Sequence, residues 1–136
     1  MPPTDAEKLA IVHALYAATG VGDFDTAERY LTDDFFITEA PGLPFAGVYR
    51  GRSALRTLYA KVMGMMQVAG MDIAQVTVGG DFAVTILSFS FADPALEPAL
   101  ITELFRFRDD KVCEIRPYYF DPATIVAACA LKPAGV

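Results

Sequence analysis

"ITELFRFRDDKVCEIRPYYF", residues 101 to 120, decides how this chain folds. Side chains on a strand alternate between its two faces, and two alternating runs here flank the polar turn "RDDK". The stretch therefore predicts two antiparallel strands, 99 to 108 and 111 to 120. In the first, Ile101, Glu103, Phe105 and Phe107 share one face, while Thr102, Leu104 and Arg106 share the other. A carboxylate thus stands in a row of apolar side chains.

The same period of two holds over 71 to 78 and 81 to 92, with "GGD" and "ADPALEP" as turn signals, so four strands in an antiparallel meander are expected after Gly70. Ahead of Gly70 the period is mostly helical. Leu9, Val12, Leu15, Tyr16 and Thr19 recur at helical intervals behind a Thr4/Glu7 capping box, and "GVGD" ends that helix. "DFDTAERYL" opens a short second helix with acids at its positive end. A third starts at Ser53, with Leu55, Leu58, Tyr59, Val62, Met63 and Met66 following the i, i+3, i+4, i+7 rule. Between these helices lies a strand over 34 to 40, on which Glu39 shares a face with Phe35 and Ile37, followed by the loop "APGLPFAG". "DPATIVAACAL" predicts a terminal helix with Asp121 as cap and Pro122 at its first position. This order is an α+β pattern in which long curved strands wrap helices and leave a cone-shaped interior, a common place for a ligand.

At 136 residues, 54% of them hydrophobic, the chain is one globular domain spanning 1 to 136. Its 17 acids exceed its 11 bases, a net charge of −6 that argues against nucleic acid and anionic membranes as partners. The polar start "MPPTDAEKLA" has no leader pattern and no run is long enough to span a membrane, which predicts a soluble cytoplasmic protein. One histidine and the two separated cysteines, Cys113 and Cys129, offer no metal ligand set, and both cysteines read as small buried apolar residues. A G-x-S-x-G elbow and a phosphate-cradling glycine loop are both absent, so cofactor-free chemistry is expected.

"GDFDTAERYLTDDF", "GRSALRTLYAKV" and "ELFRFRDDKVCEIRPYYFD", in this order and spacing, resemble the ketosteroid isomerase and SnoaL-like polyketide cyclase group of the nuclear-transport-factor-2-like superfamily. The likeness runs from about Ala6 to Ala128. It implies a cone-shaped barrel of curved, mainly antiparallel sheet wrapped around helices, also described as cystatin-like, and a homodimer. Counted from Gly22, the family's general base falls on Glu39; counted back from Phe105, its hydrogen-bond-donating acid falls on Glu103. The family's oxyanion tyrosine aligns with Leu15, and the adjacent Tyr16 is turned by roughly 100° on a helix of 3.6 residues per turn. Tyr59 matches a second tyrosine of the family's pocket and is the expected donor beside Glu103, with Tyr16 as the alternative. Both family acids are usually aspartates, so each glutamate here carries an extra methylene.

The apolar faces carrying Glu39 and Glu103 give that assignment independent support, because a carboxyl moved out of water holds its proton more tightly. Other roles compete with it. Glu39 can close a strand end on backbone amides or on Arg50, Arg52 or Arg116, and Glu103 can lie on a sheet face covered by a second copy. His13, one turn from Tyr16, is a candidate for the cavity mouth or for the surface. Ile37, Phe45, Ile101, Phe105 and Ile115 are expected to line the pocket. Met63 and Met66 join them, although these and Met65 and Met71 also suit the core. Phe89, Phe91, Tyr118 and Tyr119 belong to a cavity wall or a dimer interface.

Two functions remain open. One is a cofactor-independent isomerase, cyclase or dehydratase acting on a small hydrophobic carbonyl compound; the other is a non-catalytic ligand-binding or dimerisation module. An epoxide hydrolase is a weaker third, because its acid, arginine, acid arrangement is not recognisable.

Overall fold

The structure, a computed structural model, describes residues 2–131. Helix α1, Asp5–Gly20, begins as the sequence predicts: the Thr4 hydroxyl accepts from the Glu7 amide, and the Glu7 carboxylate accepts from the Thr4 amide, each at 3.1 Å. Helix α2, Phe24–Glu28, is capped by Asp23, whose carboxylate accepts from the Thr26 amide at 3.2 Å. Gly22 between them sits at φ +74°, a left-handed conformation that glycine adopts without strain. Helix α3 is Ala54–Met65 and helix α4 is Pro122–Leu131, the latter starting at the predicted proline. Ser53 differs from expectation: its side chain makes no capping bond, and only its backbone carbonyl engages, accepting from the Thr57 amide at 3.0 Å.

Six strands follow in chain order: β1 Leu31–Glu39, β2 Gly47–Arg50, β3 Val68–Gly79, β4 Phe82–Phe91, β5 Ala99–Arg108 and β6 Lys111–Tyr119. The last four form the expected meander. β2 lies where the sequence shows only the loop and its sequel, too short to display a period. One sheet holds all six in the order β2-β1-β6-β5-β4-β3, antiparallel except where β1 runs parallel to β6. It curves around the helices without closing, since β2 and β3 remain at opposite edges.

Burial follows the register. Phe35, Ile37 and Glu39 of β1 face inward together with Ile101 and Phe105 of β5 and Ile115 of β6. Val12 and Leu15 of α1 and Leu55 and Leu58 of α3 pack onto that face. The pairing of β1 with β6 slips between Leu31 and Phe36, and Asp33 and Asp34 reach solvent there, joined to Arg52 at 3.2 Å and Arg108 at 2.9 Å. Lys8 ties α1 to the β3–β4 turn, its ammonium donating to the Gly80 carbonyl at 2.5 Å. On the other side of the sheet Ile86, Leu100 and Tyr118 are exposed. Among the described residues, no helix is long and apolar enough to cross a membrane.

The two caps that look alike in sequence are expected to differ in energy. Thr4→Ala should lower unfolding free energy by about 1 kcal/mol and Ser53→Ala by under about 0.5 kcal/mol, measured by urea denaturation.

Candidate active site

The register brings the two glutamates into one transverse row. Glu103 pairs with Pro117 across β5 and β6, and the β1–β6 pairing reaches Ile37 opposite Ile115. Two residues further along these parallel strands, Glu39 comes level with Pro117. Glu39 and Glu103 therefore flank Pro117 on the concave face, two strand spacings or roughly 10 Å apart at the backbone. Proline lacks an N–H, and the pairing of β6 with β1 ends at Ile115, so Pro117 costs the central strand no bond on that side.

Both carboxyls open onto one cavity of about 740 Å³ between the sheet and helices α1, α2 and α3. Ile37, Phe45, Phe89, Ile101, Phe105 and Ile115 supply apolar wall, and Met63 and Met66 line it from α3 and its end. Tyr16, Tyr59 and Tyr119 bring three hydroxyls to it. Among the residues expected at the pocket, His13 is the exception. It is exposed, because it lies about 160° around α1 from the buried Leu15 at about 100° per residue. Phe91 is buried in the core rather than in the cavity wall, and Tyr118 is exposed on the opposite side of the sheet. Met71 lines the cavity, Met65 packs against the core, Cys113 is buried and Cys129 partly so.

Each glutamate is held by a tyrosine. Tyr119 donates its hydroxyl to Glu39 Oε1 at 2.7 Å, and Tyr16 donates to Glu103 Oε1. The arginines considered for Glu39 are engaged elsewhere: Arg52 with Asp33, Arg116 with Glu114 at 2.6 Å, and Arg50 over the Phe36 ring at 5.6 Å. Among the described residues neither carboxyl has an arginine or lysine partner. The donor beside Glu103 is Tyr16 and not Tyr59. The turn of 100° from Leu15 is small enough, and the tyrosine long enough, for both side chains to reach the cavity. The Tyr16 ring also packs edge-on against Phe105, centroids 5.7 Å apart.

The electrostatics follow from burial. Glu39 is 5% exposed, and loss of water pushes its carboxyl up to about 7; the Tyr119 hydrogen bond pulls the other way, and the nearby Glu103 charge adds to the rise. Burial likewise raises Glu103, against the lowering effect of Tyr16. Glu103 retains some accessible surface, which opens into the cavity it lines. Burial raises Tyr16 and Tyr119 too, and each partner carboxylate adds to the shift. Tyr59 is pushed up to about 12 by burial and then by the Glu103 charge, with a smaller effect from Glu39. These mutual influences place Tyr59 within the field of both acids.

Two residues with a role at the site escaped the sequence reading. Tyr119 was visible only as a wall residue: its parity with Ile115 and Pro117 puts it on the concave face, but its reach to Glu39 depends on β1 lying beside β6. Arg56 lines the cavity rim while bonded to Asp25 at 2.7 Å and Glu28 at 3.2 Å. On a helical wheel it is a solvated position, and nothing in the sequence pairs it with α2. Among the described residues, no group of three or more His, Cys, Asp or Glu side chains could hold a metal ion.

The fold recurs widely. An NTF2-like protein from Burkholderia xenovorans LB400 superposes with a TM-score of 0.76 at 21% identity, over 93% of this chain and 98% of that one. A protein of Jannaschia sp. CCS1 assigned as a SnoaL-like polyketide cyclase gives 0.78 at 17% identity, over 98% of each chain. A protein of unknown function with a cystatin-like fold from Xanthomonas campestris gives 0.73 at 21% identity, over 90% of this chain and 97% of that one. At such identities the likeness is one of fold. Comparison with curated proteins finds no sequence match. The SnoaL-like domain model, however, matches residues 12–115, from the first buried turn of α1 to the strand that carries Ile115. The chain belongs to the SnoaL-like domain family.

Proposed function

We propose that this protein is a cofactor-independent acid/base enzyme, of the isomerase, cyclase or dehydratase kind, acting on a small hydrophobic carbonyl compound. One observation carries the reading: two buried carboxyls, each bonded to a tyrosine and neither to a cation, open on the same apolar cavity. A carboxyl needed only for structure is better placed on an arginine or at the surface, where burial does not penalise its charge.

In this mechanism the ionised Glu39 carboxylate takes a proton from the carbon next to the substrate carbonyl. The C–H electron pair moves to the oxygen as an enolate. The Glu103 carboxyl, kept neutral by burial and held at Oε1 by the Tyr16 hydroxyl, donates a hydrogen bond to that oxygen, stabilising charge as it develops. Return of the proton from Glu39 to another carbon isomerises the substrate; attack of the enolate carbon on a second carbonyl cyclises it. The second oxygen of Glu39 is available for this work while Tyr119 holds Oε1. Tyr59, which lines the same cavity, serves in this reading as a further donor to the substrate oxygen.

Proton abstraction is measurable without the natural substrate. With 2-tetralone in D2O, followed by NMR, the protein should catalyse deuterium exchange at the carbon next to the carbonyl, and Glu39→Gln should slow it by about 10²- to 10⁴-fold. Exchange at an undiminished rate in Glu39→Gln contradicts the assigned base. The rate should rise with pH to a midpoint near 7, and Tyr119→Phe should move that midpoint upward, because it removes a bond that favours the ionised form.

Glu39→Gln has a consequence for stability as well. Glu39 binds its proton more tightly folded, at about 7, than at its ordinary value of 4.5, so stability is greatest below 4.5 and falls as pH rises through that interval. Replacing the acid with the uncharged amide removes this loss. Thermal or urea unfolding should find Glu39→Gln more stable than the parent by about 3 kcal/mol at pH 8, with the difference gone near pH 4.5.

A further inference from the structure

The cavity's charge is one-sided. Glu39 and Glu103 are its acids, and among its described lining residues Arg56 is the single base. That guanidinium is held at the rim by Asp25 at 2.7 Å and Glu28 at 3.2 Å, over the Phe24 ring at 5.6 Å. The groups around Glu39 are neutral or acidic on every side: Tyr119 from β6, Glu103 from β5, Tyr59 from α3, and Cys129 of α4 near Tyr119. The walls add the rings of Tyr16, Phe45, Phe89 and Phe105, whose faces are electron-rich.

We propose that this cavity binds a bulky apolar amine in its protonated form, with the ammonium against the Glu39 carboxylate and the hydrocarbon body against the aromatic walls. A carboxylate out of water with no protein cation beside it gains more from a positive ligand than an exposed one does, because little solvent screens the pair. Aromatic faces attract the same cation, most strongly where it is desolvated. A ligand carboxylate would meet two acids and no available base. The chemistry places a hydrophobic ammonium first, a neutral molecule of equal size second, and an anion last. Such an amine would occupy the space assigned above to substrate. The inference rests only on Glu39 opening into the cavity, and does not require it to move protons.

The pH dependence has a definite sign. Glu39 is ionised above about 7, and an alkylammonium keeps its proton to about pH 9 or beyond. Affinity should therefore grow as pH rises through 7. Below that value, binding should release a proton from Glu39, since an adjacent cation pulls the carboxyl back down.

Isothermal titration calorimetry with 2-naphthylmethylamine, 2-naphthylmethanol and 2-naphthoate separates charge from shape. At pH 8 the amine should bind about tenfold or more tighter than the alcohol, and the naphthoate weakest. At pH 5.5 the preference should shrink. Glu39→Gln should abolish the amine preference at pH 8 and Glu39→Asp should retain part of it, with circular dichroism confirming that both variants fold. Equal binding of amine and alcohol at pH 8, a preference that persists in Glu39→Gln, or no binding of any probe overturns the proposal. Ketone exchange without amine preference contradicts this inference and leaves the enzyme reading standing. Amine preference without exchange does the reverse.

Discussion

β6 is paired on both sides, antiparallel to β5 and parallel to β1, and the site exists because of that double pairing. Residues 39 and 103 are far apart in sequence, and only a strand between them sets their separation. That strand carries Pro117 in their row and Tyr119 one inward position further on. The proline leaves a low, donor-free surface between the two head groups, and the tyrosine supplies the hydroxyl that Glu39 accepts. The helices complete the space: α1 brings Tyr16 over Glu103, and α3 brings Tyr59 within the field of both acids.

Two ionisable groups in an apolar cavity oppose folding, and the rest of the molecule offsets them. Phe35, Ile37, Ile101, Phe105 and Ile115 bury one face of the sheet around them, with the helices packed onto it. Elsewhere carboxylates meet arginines, at the surface for Asp25 with Arg56 and Asp34 with Arg108, and in the buried Glu114 with Arg106 and Arg116. The cavity acids instead receive tyrosine hydroxyls, which satisfy one oxygen of each without cancelling its charge. A tyrosine donor lowers a carboxyl's proton affinity less than a neighbouring guanidinium would, so burial remains the dominant effect, holding Glu39 near 7 and raising Glu103 above its ordinary value.

Local physics was legible in the sequence, and long-range pairing was not. The alternation of residues 99 to 108 put Glu103 among Ile101, Phe105 and Phe107, and the Thr4/Glu7 spacing gave the capping box, because both patterns depend on near neighbours. β2 escaped because Gly47–Arg50 is only four residues long and its apolar residues, Val48 and Tyr49, are adjacent and do not alternate. The parallel contact of β1 with β6 left no mark in either strand, and with it went the partner of Glu39. Helical spacing fixes direction around an axis but not reach. It therefore described the turn from Leu15 to Tyr16 correctly without showing that a tyrosine covers the difference, and it left His13 undecided between cavity and solvent. Ser53 has the right residue type for a cap, but side-chain direction, which sequence does not carry, decides whether it acts as one.

The central claim is that water-poor surroundings and tyrosine donors, and no ion pair, set the protonation of the two glutamates. Carbon-13 NMR titration of glutamate carboxyls, assigned with Glu39→Gln and Glu103→Gln, tests it directly. The account predicts a midpoint near 7 for Glu39, and for Glu103 a carboxyl that stays protonated well above the ordinary value of 4.5. Two carboxyls titrating together near 4.5 would contradict it, and with it the cavity chemistry built on those residues.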